Sequence, residues 1–241
     1  MPPEPLADLL ADLYRRQVAE LPDEDYLRQH SAPAFVQGAV RVFRFYEPWL
    51  PRQGTLLDWG CRHAPDACLI RAQFGPGLAI EGCDVFPEAP YRTFHDYSGL
   101  RYQPLPDPVR LPYADGSFDA VIASGVLEHV PMDYESLKEL YRVMKPGARL
   151  IVTYLPNRAS FEEWRLRRKG NRGHRRLYSQ SQIRSLLLHC GFWPLAAGFQ
   201  TQLDSLPVEG SAAWLHKVAR ASQLHRLTAC LCVVAEKTTY F

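Results

Sequence analysis

Two carboxylates at the ends of short apolar runs are the first residues of this chain with chemistry to offer. Leu56-Leu57-Asp58-Trp59-Gly60-Cys61 reads as a strand that closes on an acid and a glycine turn, and Pro65 stands where the first position of a helix belongs. Ligands bind at such strand ends in open α/β sheets. The next run, Ile80-Glu81-Gly82-Cys83-Asp84, ends on a second acid 24 residues after Gly60. That is about the separation at which a bidentate carboxylate meets the two hydroxyls of a ribose. Glycine turns and strand-end acids occur in many α/β proteins, so the pair marks where a ligand would sit without naming it.

A longer pattern narrows the chemistry. Leu111-Pro112-Tyr113-Ala114-Asp115-Gly116-Ser117-Phe118-Asp119-Ala120-Val121-Ile122-Ala123-Ser124-Gly125-Val126-Leu127-Glu128-His129-Val130 is followed by Leu140-Tyr141-Arg142-Val143-Met144-Lys145-Pro146-Gly147-Ala148-Arg149-Leu150. In order and spacing these stretches closely resemble the class I S-adenosylmethionine-dependent methyltransferases, from about Leu56 to Phe192 and less specifically to the end of the chain. The resemblance implies S-adenosylmethionine as cofactor and S-adenosylhomocysteine as its product. It places Asp58 and Gly60 at the methionine portion, Asp84 on the ribose, and Asp107, the acid preceding Leu111-Pro112, at the adenine amino group, with Ser124 completing the cofactor set.

The chain departs from that family at the first turn, which normally reads Asp-x-Gly-x-Gly-x-Gly. Arg62 and Ala64 replace the second and third glycines. A side chain at either point restricts close approach to a ligand and positive φ alike. The expectation is that Gly60 supplies the close approach while Arg62 pairs with the cofactor carboxylate, a charge-assisted bond roughly twice as strong as a neutral one. The alternative is an Arg62 that stacks outward into solvent.

Methyl transfer from a sulfonium asks for alignment of the acceptor and, for a hydroxyl, removal of its proton. His129 follows the fourth strand on the turn where the family faces its substrate, and His174 precedes Arg175-Arg176-Leu177-Tyr178 in a segment similar to the one leading into the substrate-side helix. Both are catalytic candidates, against the plainer readings of a packing histidine and a solvated one. Glu128 reads as holding local structure, His95 has an acid and aromatics beside it but no motif, and Trp59 reads as packing under the turn. Tyr154, Pro156 and Asn157 are expected to border the acceptor pocket. No metal is expected, because the cysteines at 61, 68, 83, 190, 230 and 232 lack the Cys-x-x-Cys pairs of a zinc site and read as reduced, buried thiols.

The elements that must position these residues form a Rossmann-like α/β fold, a doubly wound, mostly parallel sheet with a final antiparallel strand and a helical N-terminal prelude. The apolar pattern predicts helices over Leu6–Glu20 and Ala34–Tyr46, then strands near Thr55–Asp58, Leu78–Cys83, Leu100–Gln103, Phe118–Ala123 and Arg149–Tyr154. Helices are predicted near Pro65–Phe74, Asp133–Met144 and Ser179–Cys190, and two closing strands near Phe192–Gln200 and Ala229–Glu236, with a mainly helical Val208–Leu227 between them. One domain is expected: a helical cap over 1–50, a cofactor-binding core over 51–157, and over 158–241 a basic insertion, the substrate-side helix and the last strands. The insertion, Arg165 to Arg176, is expected to be a mobile cover that Gly170 and Gly173 keep from being one continuous helix.

Composition excludes rather than identifies. Hydrophobic residues at 46% and charged residues at 22% are ordinary globular values, so disorder and fibrous classes are out. A net charge of +2 makes a nucleic-acid partner unlikely on charge alone, while the local basic run favours an anionic small or carrier-linked acceptor, such as a nucleotide-linked or phosphorylated sugar or a lipid-linked glycan. Met1 to Leu10 lacks a basic leader and no apolar run reaches the roughly 18 residues of a spanning helix, so a cytoplasmic protein is expected. The stretch around Trp214, with Lys217, Arg220, His225 and Arg226 nearby, suits a membrane surface, a lid or core packing. The leading reading is methyl transfer to a hydroxyl. Its rivals are a non-catalytic scaffold with a degenerate cofactor turn and a C-methyltransferase acting on a quinone-like ring. A nicotinamide dehydrogenase would need Gly-x-Gly-x-x-Gly where this chain has Gly60-Cys61-Arg62-His63-Ala64.

Overall fold

The computed structural model describes residues 2–86, 90–168, 170, 174, 176–201 and 229–239. Three helices open the chain, α1 (Pro3–Glu20), α2 (Asp25–His30) and α3 (Pro33–Tyr46), followed by β1 (Gly54–Trp59), α4 (Pro65–Phe74), β2 (Leu78–Asp84), α5 (Arg92–Ser98) and β3 (Arg101–Pro104). Then come β4 (Phe118–Ser124), α6 (Asp133–Val143), β5 (Met144–Leu155), α7 (Phe161–Arg168), α8 (Gln180–His189), β6 (Phe192–Thr201) and β7 (Ala229–Lys237).

The strands form one seven-stranded sheet in the order β3-β2-β1-β4-β5-β7-β6. Pairings from β3 through β5 are parallel, and β7 runs antiparallel between β5 and β6. Strand side chains alternate between faces. Leu56, Ile80, Ala120, Ile122 and Ile151 meet α1, α3 and α4 on one face, while Leu57, Val121, Ala123, Leu150 and Val152 meet α6 and α8 on the other. Both faces are therefore buried, as the near-continuous apolar runs require. The strand order turns at β1 and β4, so the loops leaving these two strands diverge and leave a crevice at their carboxyl ends.

Helix α8 carries the capping box its sequence announces: Ser179 Oγ accepts from the Gln182 N–H, and the Gln182 side chain accepts from the Ser179 N–H. Several expectations need correction. Strand β5 begins at Met144 rather than Arg149. Helices α2 and α5 are additional, and the basic run begins inside helix α7, which ends before Gly170. Arg176, at the end of the run, donates to the carbonyls of Val130 and Pro131, so this residue belongs to the scaffold of the neighbouring turn instead of a mobile cover. The expected helix over Val208–Leu227, including the stretch around Trp214, lies outside the described residues, as do Arg172 and Arg175. Among the described residues no helix is long and apolar enough to cross a membrane.

Candidate functional site

Gly60 leaves β1 at φ +69, and a Cβ built on it would lie 2.5 Å from Val126 Cγ2, in the turn that leaves β4. Only glycine lets these two loops approach at the switch point. Beyond it Arg62 (φ 45) and Ala64 (φ 58) keep the left-handed path, although neither is glycine. Such a conformation costs a residue with a Cβ about 1–3 kcal/mol and persists where the surroundings over-determine it. Here the surroundings are identifiable. The Arg62 N–H donates to Asp84 Oδ2 at 2.9 Å, and its carbonyl meets His95 Nε2 at 2.8 Å. Ala64 is fully buried at the start of α4.

The Arg62 side chain does not stack outward. Its guanidinium lies 3.6 Å from the Tyr26 ring centroid and donates to Glu24 at 2.8 Å and to the Tyr91 hydroxyl at 3.1 Å. The expected pairing with a ligand carboxylate thus gives way to a clamp that fastens the turn to α2 and the residue before it.

Under the turn three acids converge. Asp58, at the end of β1, is buried, and its Oδ2 has no hydrogen-bond partner among the described residues. Burial raises its carboxyl well above the usual range, with Asp66 and Asp84 adding like charge. Asp66 accepts from the Tyr46 hydroxyl and from Ser124, whose Oγ lies 2.7 Å from Thr153 Oγ1. Asp84 receives the N–H groups of Arg62 and Val85, and burial raises its carboxyl too. Asp107 is different: it is exposed on the loop after β3, and its Oδ1 accepts from the N–H groups of Val109 and Arg110, which hold its carboxyl below the ordinary range. His95, buried and stacked on Tyr102, supports the turn. Trp59 is buried in the core.

The two catalytic candidates come together at the same edge of the sheet. The His129 and His174 rings lie 5.5 Å apart, and His174 Nδ1 is 2.7 Å from Oε1 of Glu163 on α7. Glu128 is almost fully buried beside them, His129 Nε2 lies 3.8 Å from its Oε1, and its Oε2 has no hydrogen-bond partner among the described residues. Burial pushes the Glu128 carboxyl up to about 7, and the charge of Glu163 adds to the rise. Tyr178 donates to the Leu127 carbonyl and to Asp133, so Arg176 and Tyr178 together fasten the His174 segment to the His129 turn.

Sequence reasoning passed over Glu163 because it lies on a helix that was not expected, and treated Glu128 as structural. An open pocket of about 430 Å³, lined by Arg158, Arg167, Arg176, Asp133, Tyr178 and Gln182, meets this cluster through Arg167, which donates to the His174 carbonyl at 3.3 Å. Tyr154 was expected beside the acceptor, and the structure holds it at φ 57 within a register shift of β5 against β7. Asn157 bridges to Tyr178 and thereby ties the end of β5 to the substrate-side segment.

A family model described as a methyltransferase domain matches residues 28–196, well over half of the chain. The chain belongs to the class I S-adenosylmethionine-dependent methyltransferases. Among curated members, the chain is similar to the demethylmenaquinone methyltransferase of Thermus thermophilus, 41% identical over 96 residues that make up 38% of this chain and 43% of the relative. It is also similar to the norajmaline N-methyltransferase of Rauvolfia serpentina, 26% identical over 129 residues, 52% of this chain and 44% of the relative. The chain thus spans less than half the length of the curated relatives it matches. In fold it resembles a chain of the complex between the Haloferax volcanii Trm112 methyltransferase activator and a methyltransferase, with a TM-score of 0.64 and 17% identity over 82% of this chain and 91% of that one.

Proposed function

We propose that this chain transfers a methyl group from S-adenosylmethionine to a hydroxyl of an anionic acceptor, such as a phosphorylated or nucleotide-linked sugar or a lipid-linked glycan. The observation that carries the reading is the His174–Glu163 pair beside a pocket lined by Arg158, Arg167 and Arg176. Cofactor binding is supported by the turn itself. A buried carboxylate oxygen without a partner, on Asp58 and flanked by Asp66 and Asp84, fits a ligand carrying positive charge, as the sulfonium and ammonium of this cofactor do. Asp58, Gly60 and Ser124 would hold the methionine portion, Asp84 the ribose and Asp107 the adenine. Arg62 would act from behind by holding the turn in its left-handed path. That path survives without the usual glycines, which favours a working cofactor turn over a degenerate scaffold.

When bound, the cofactor supplies an electrophilic methyl on a sulfonium. The chain's part is proton transfer and orientation. With Nδ1–H of His174 donating to Glu163, Nε2 presents a lone pair, takes the acceptor hydroxyl proton, and the carboxylate stabilises the imidazolium so formed. His129 flanks the same space and orients the acceptor. The guanidinium groups of Arg158 and Arg167 in the adjoining pocket bind the acceptor's phosphate through charge-assisted contacts, while Arg176 holds the pocket wall to the Val130-Pro131 turn.

A second reading, carbon methylation of a quinol-like ring, is favoured by the likeness to a demethylmenaquinone methyltransferase. Incubation with S-adenosylmethionine and two acceptor sets, phosphorylated or nucleotide-linked sugars and reduced naphthoquinones, with products followed by mass spectrometry, separates the two. Methylation of a sugar phosphate or nucleotide sugar, weakened in Arg158→Gln/Arg167→Gln and by added salt, supports the first. Methylation of the quinol alone, indifferent to those substitutions, overturns it.

A further inference from the structure

Glu128, His129 and His174 hold one ligand atom each, and all three atoms lie within 4.8 Å of one another. A carboxylate and two imidazoles converging on one point at the end of a sheet form the donor set that protein sites use for divalent first-row transition ions. We propose that these residues bind one such ion, with Glu163 as the group that orients His174.

Four observations meet here. Glu128 is 2% exposed, and its Oε2 is a buried acceptor with no hydrogen-bond partner among the described residues. Leaving such an oxygen unpaired costs free energy that a cation restores. Glu163 is also buried and its Oε1 lies 2.7 Å from His174 Nδ1, so the cluster gathers two carboxylates around the imidazoles. A dication compensates both charges. The Glu163–His174 contact of 2.7 Å is the arrangement by which a carboxylate fixes the tautomer of a metal-binding histidine, freeing the other nitrogen for the ion. Finally, the site is framed on fixed backbone: Arg176 and Tyr178 tie the loop bearing His174 to the turn bearing Glu128 and His129, so no large rearrangement is needed to bring the ligands together.

Two imidazoles with one carboxylate select against magnesium and calcium, which prefer all-oxygen ligands, and favour ions such as zinc, cobalt or iron(II). The chemical role rests on the reading given under Proposed function. An ion at this point would hold the acceptor hydroxyl and make it more acidic, so that its proton passes to water as the oxygen attacks the methyl; with the ion bound His174 is a ligand, and the base role given to it above is that of the ion-free chain. Binding itself does not depend on that reading.

The test is made on the full chain after chelator treatment, by calorimetric titration with Zn²⁺ and by the visible absorption of bound Co²⁺. Expected are about one ion per chain, no comparable heat with Mg²⁺, at least a tenfold weakening in His129→Ala and in His174→Ala, and a weakening of about 10- to 100-fold in Glu163→Gln. His189→Ala, altering an exposed histidine on α8, should bind as wild type does. His129 is more than half exposed, so its replacement leaves the fold intact, which circular dichroism checks. Absence of stoichiometric Zn²⁺ and Co²⁺ binding, or binding that His129→Ala/His174→Ala leaves unchanged, overturns the proposal. A separate titration with S-adenosylhomocysteine keeps that failure distinct from a failure of the methyltransferase reading.

Discussion

The backbone N–H of Arg62 donates to the carboxylate of Asp84 at 2.9 Å, so the residue standing in place of a turn glycine and the acid that ends β2 are built as one unit. The side chain beyond that N–H clamps α2 and the residue before it through Tyr26 and Glu24, and donates to Tyr91. An arginine here therefore exchanges the freedom of glycine for a fastening.

That fastening predicts coupling between Arg62 and Tyr26. The guanidinium is 3.6 Å from the ring centroid and the side chain is 30% exposed, a geometry for which cation–π attraction contributes roughly 0.5–2 kcal/mol. The Glu24 pair is solvent-screened and adds little. In urea unfolding, Arg62→Ala and Tyr26→Ala should each destabilise by about 1–2 kcal/mol and the double variant by clearly less than their sum. Additive losses would show that the clamp carries no energy.

Gly60→Ala should be far more damaging than its size implies. The new Cβ would collide with Val126 and would have to adopt φ +69. A loss of about 1–3 kcal/mol is expected from the backbone conformation alone. Adding Val126→Ala should recover part of the stability and leave the remainder, as thermal unfolding of the three variants would reveal.

A buried histidine makes the cap sensitive to acid. His63 is 3% exposed, its Nε2 meets the Tyr14 hydroxyl at 2.7 Å, and its Nδ1 has no hydrogen-bond partner among the described residues. Burial, and then the nearby His30, Arg62 and His95, lower its pKa well below the usual value. The unfolded chain takes up a proton near pH 6.5 that the native chain refuses, so the contribution of His63 is complete above that pH and is lost progressively below it, at up to about 1.4 kcal/mol per pH unit. His63→Gln, which can still accept from Tyr14, should show a flatter decline between about pH 6.5 and 5. Parallel profiles for wild type and variant would contradict this.

At the acceptor side, His174→Ala should lower turnover by about 10²- to 10⁴-fold while leaving the affinity for S-adenosylhomocysteine nearly unchanged. Glu163→Gln, which keeps the shape and removes the charge facing Nδ1, should lower turnover less than His174→Ala. Equal activity of Glu163→Gln and wild type would show that the carboxylate does not assist the imidazole.

The sheet was legible because its strands are buried on both faces and read as apolar runs, and helix α4 was legible to the residue because Pro65 and Gly75 bracket it. The misses have local causes. Helix α5 is short and rich in aromatic and polar residues, with no amphipathic stripe to announce it. Helix α7 was hidden by Gly170 and Gly173, which lie beyond its end. The left-handed Tyr154 follows from a shift in register between β5 and β7, a tertiary relationship that no local sequence encodes. At the site, the strand-end acids and both histidines were visible as motif positions. The partner of His174 was not, because Glu163 stands eleven residues earlier in the chain, on a helix that the sequence pattern does not announce.

The central claim is that the turn bearing Arg62 and Ala64 still binds S-adenosylmethionine and its product. Calorimetric titration of the wild-type chain and of Asp84→Ala with S-adenosylhomocysteine tests it most directly. Saturable binding to the wild type is predicted, weakened about 5- to 150-fold in Asp84→Ala, as loss of a carboxylate paired with ligand hydroxyls would cost about 1–3 kcal/mol. A wild-type chain that gives no binding at millimolar ligand would contradict the account.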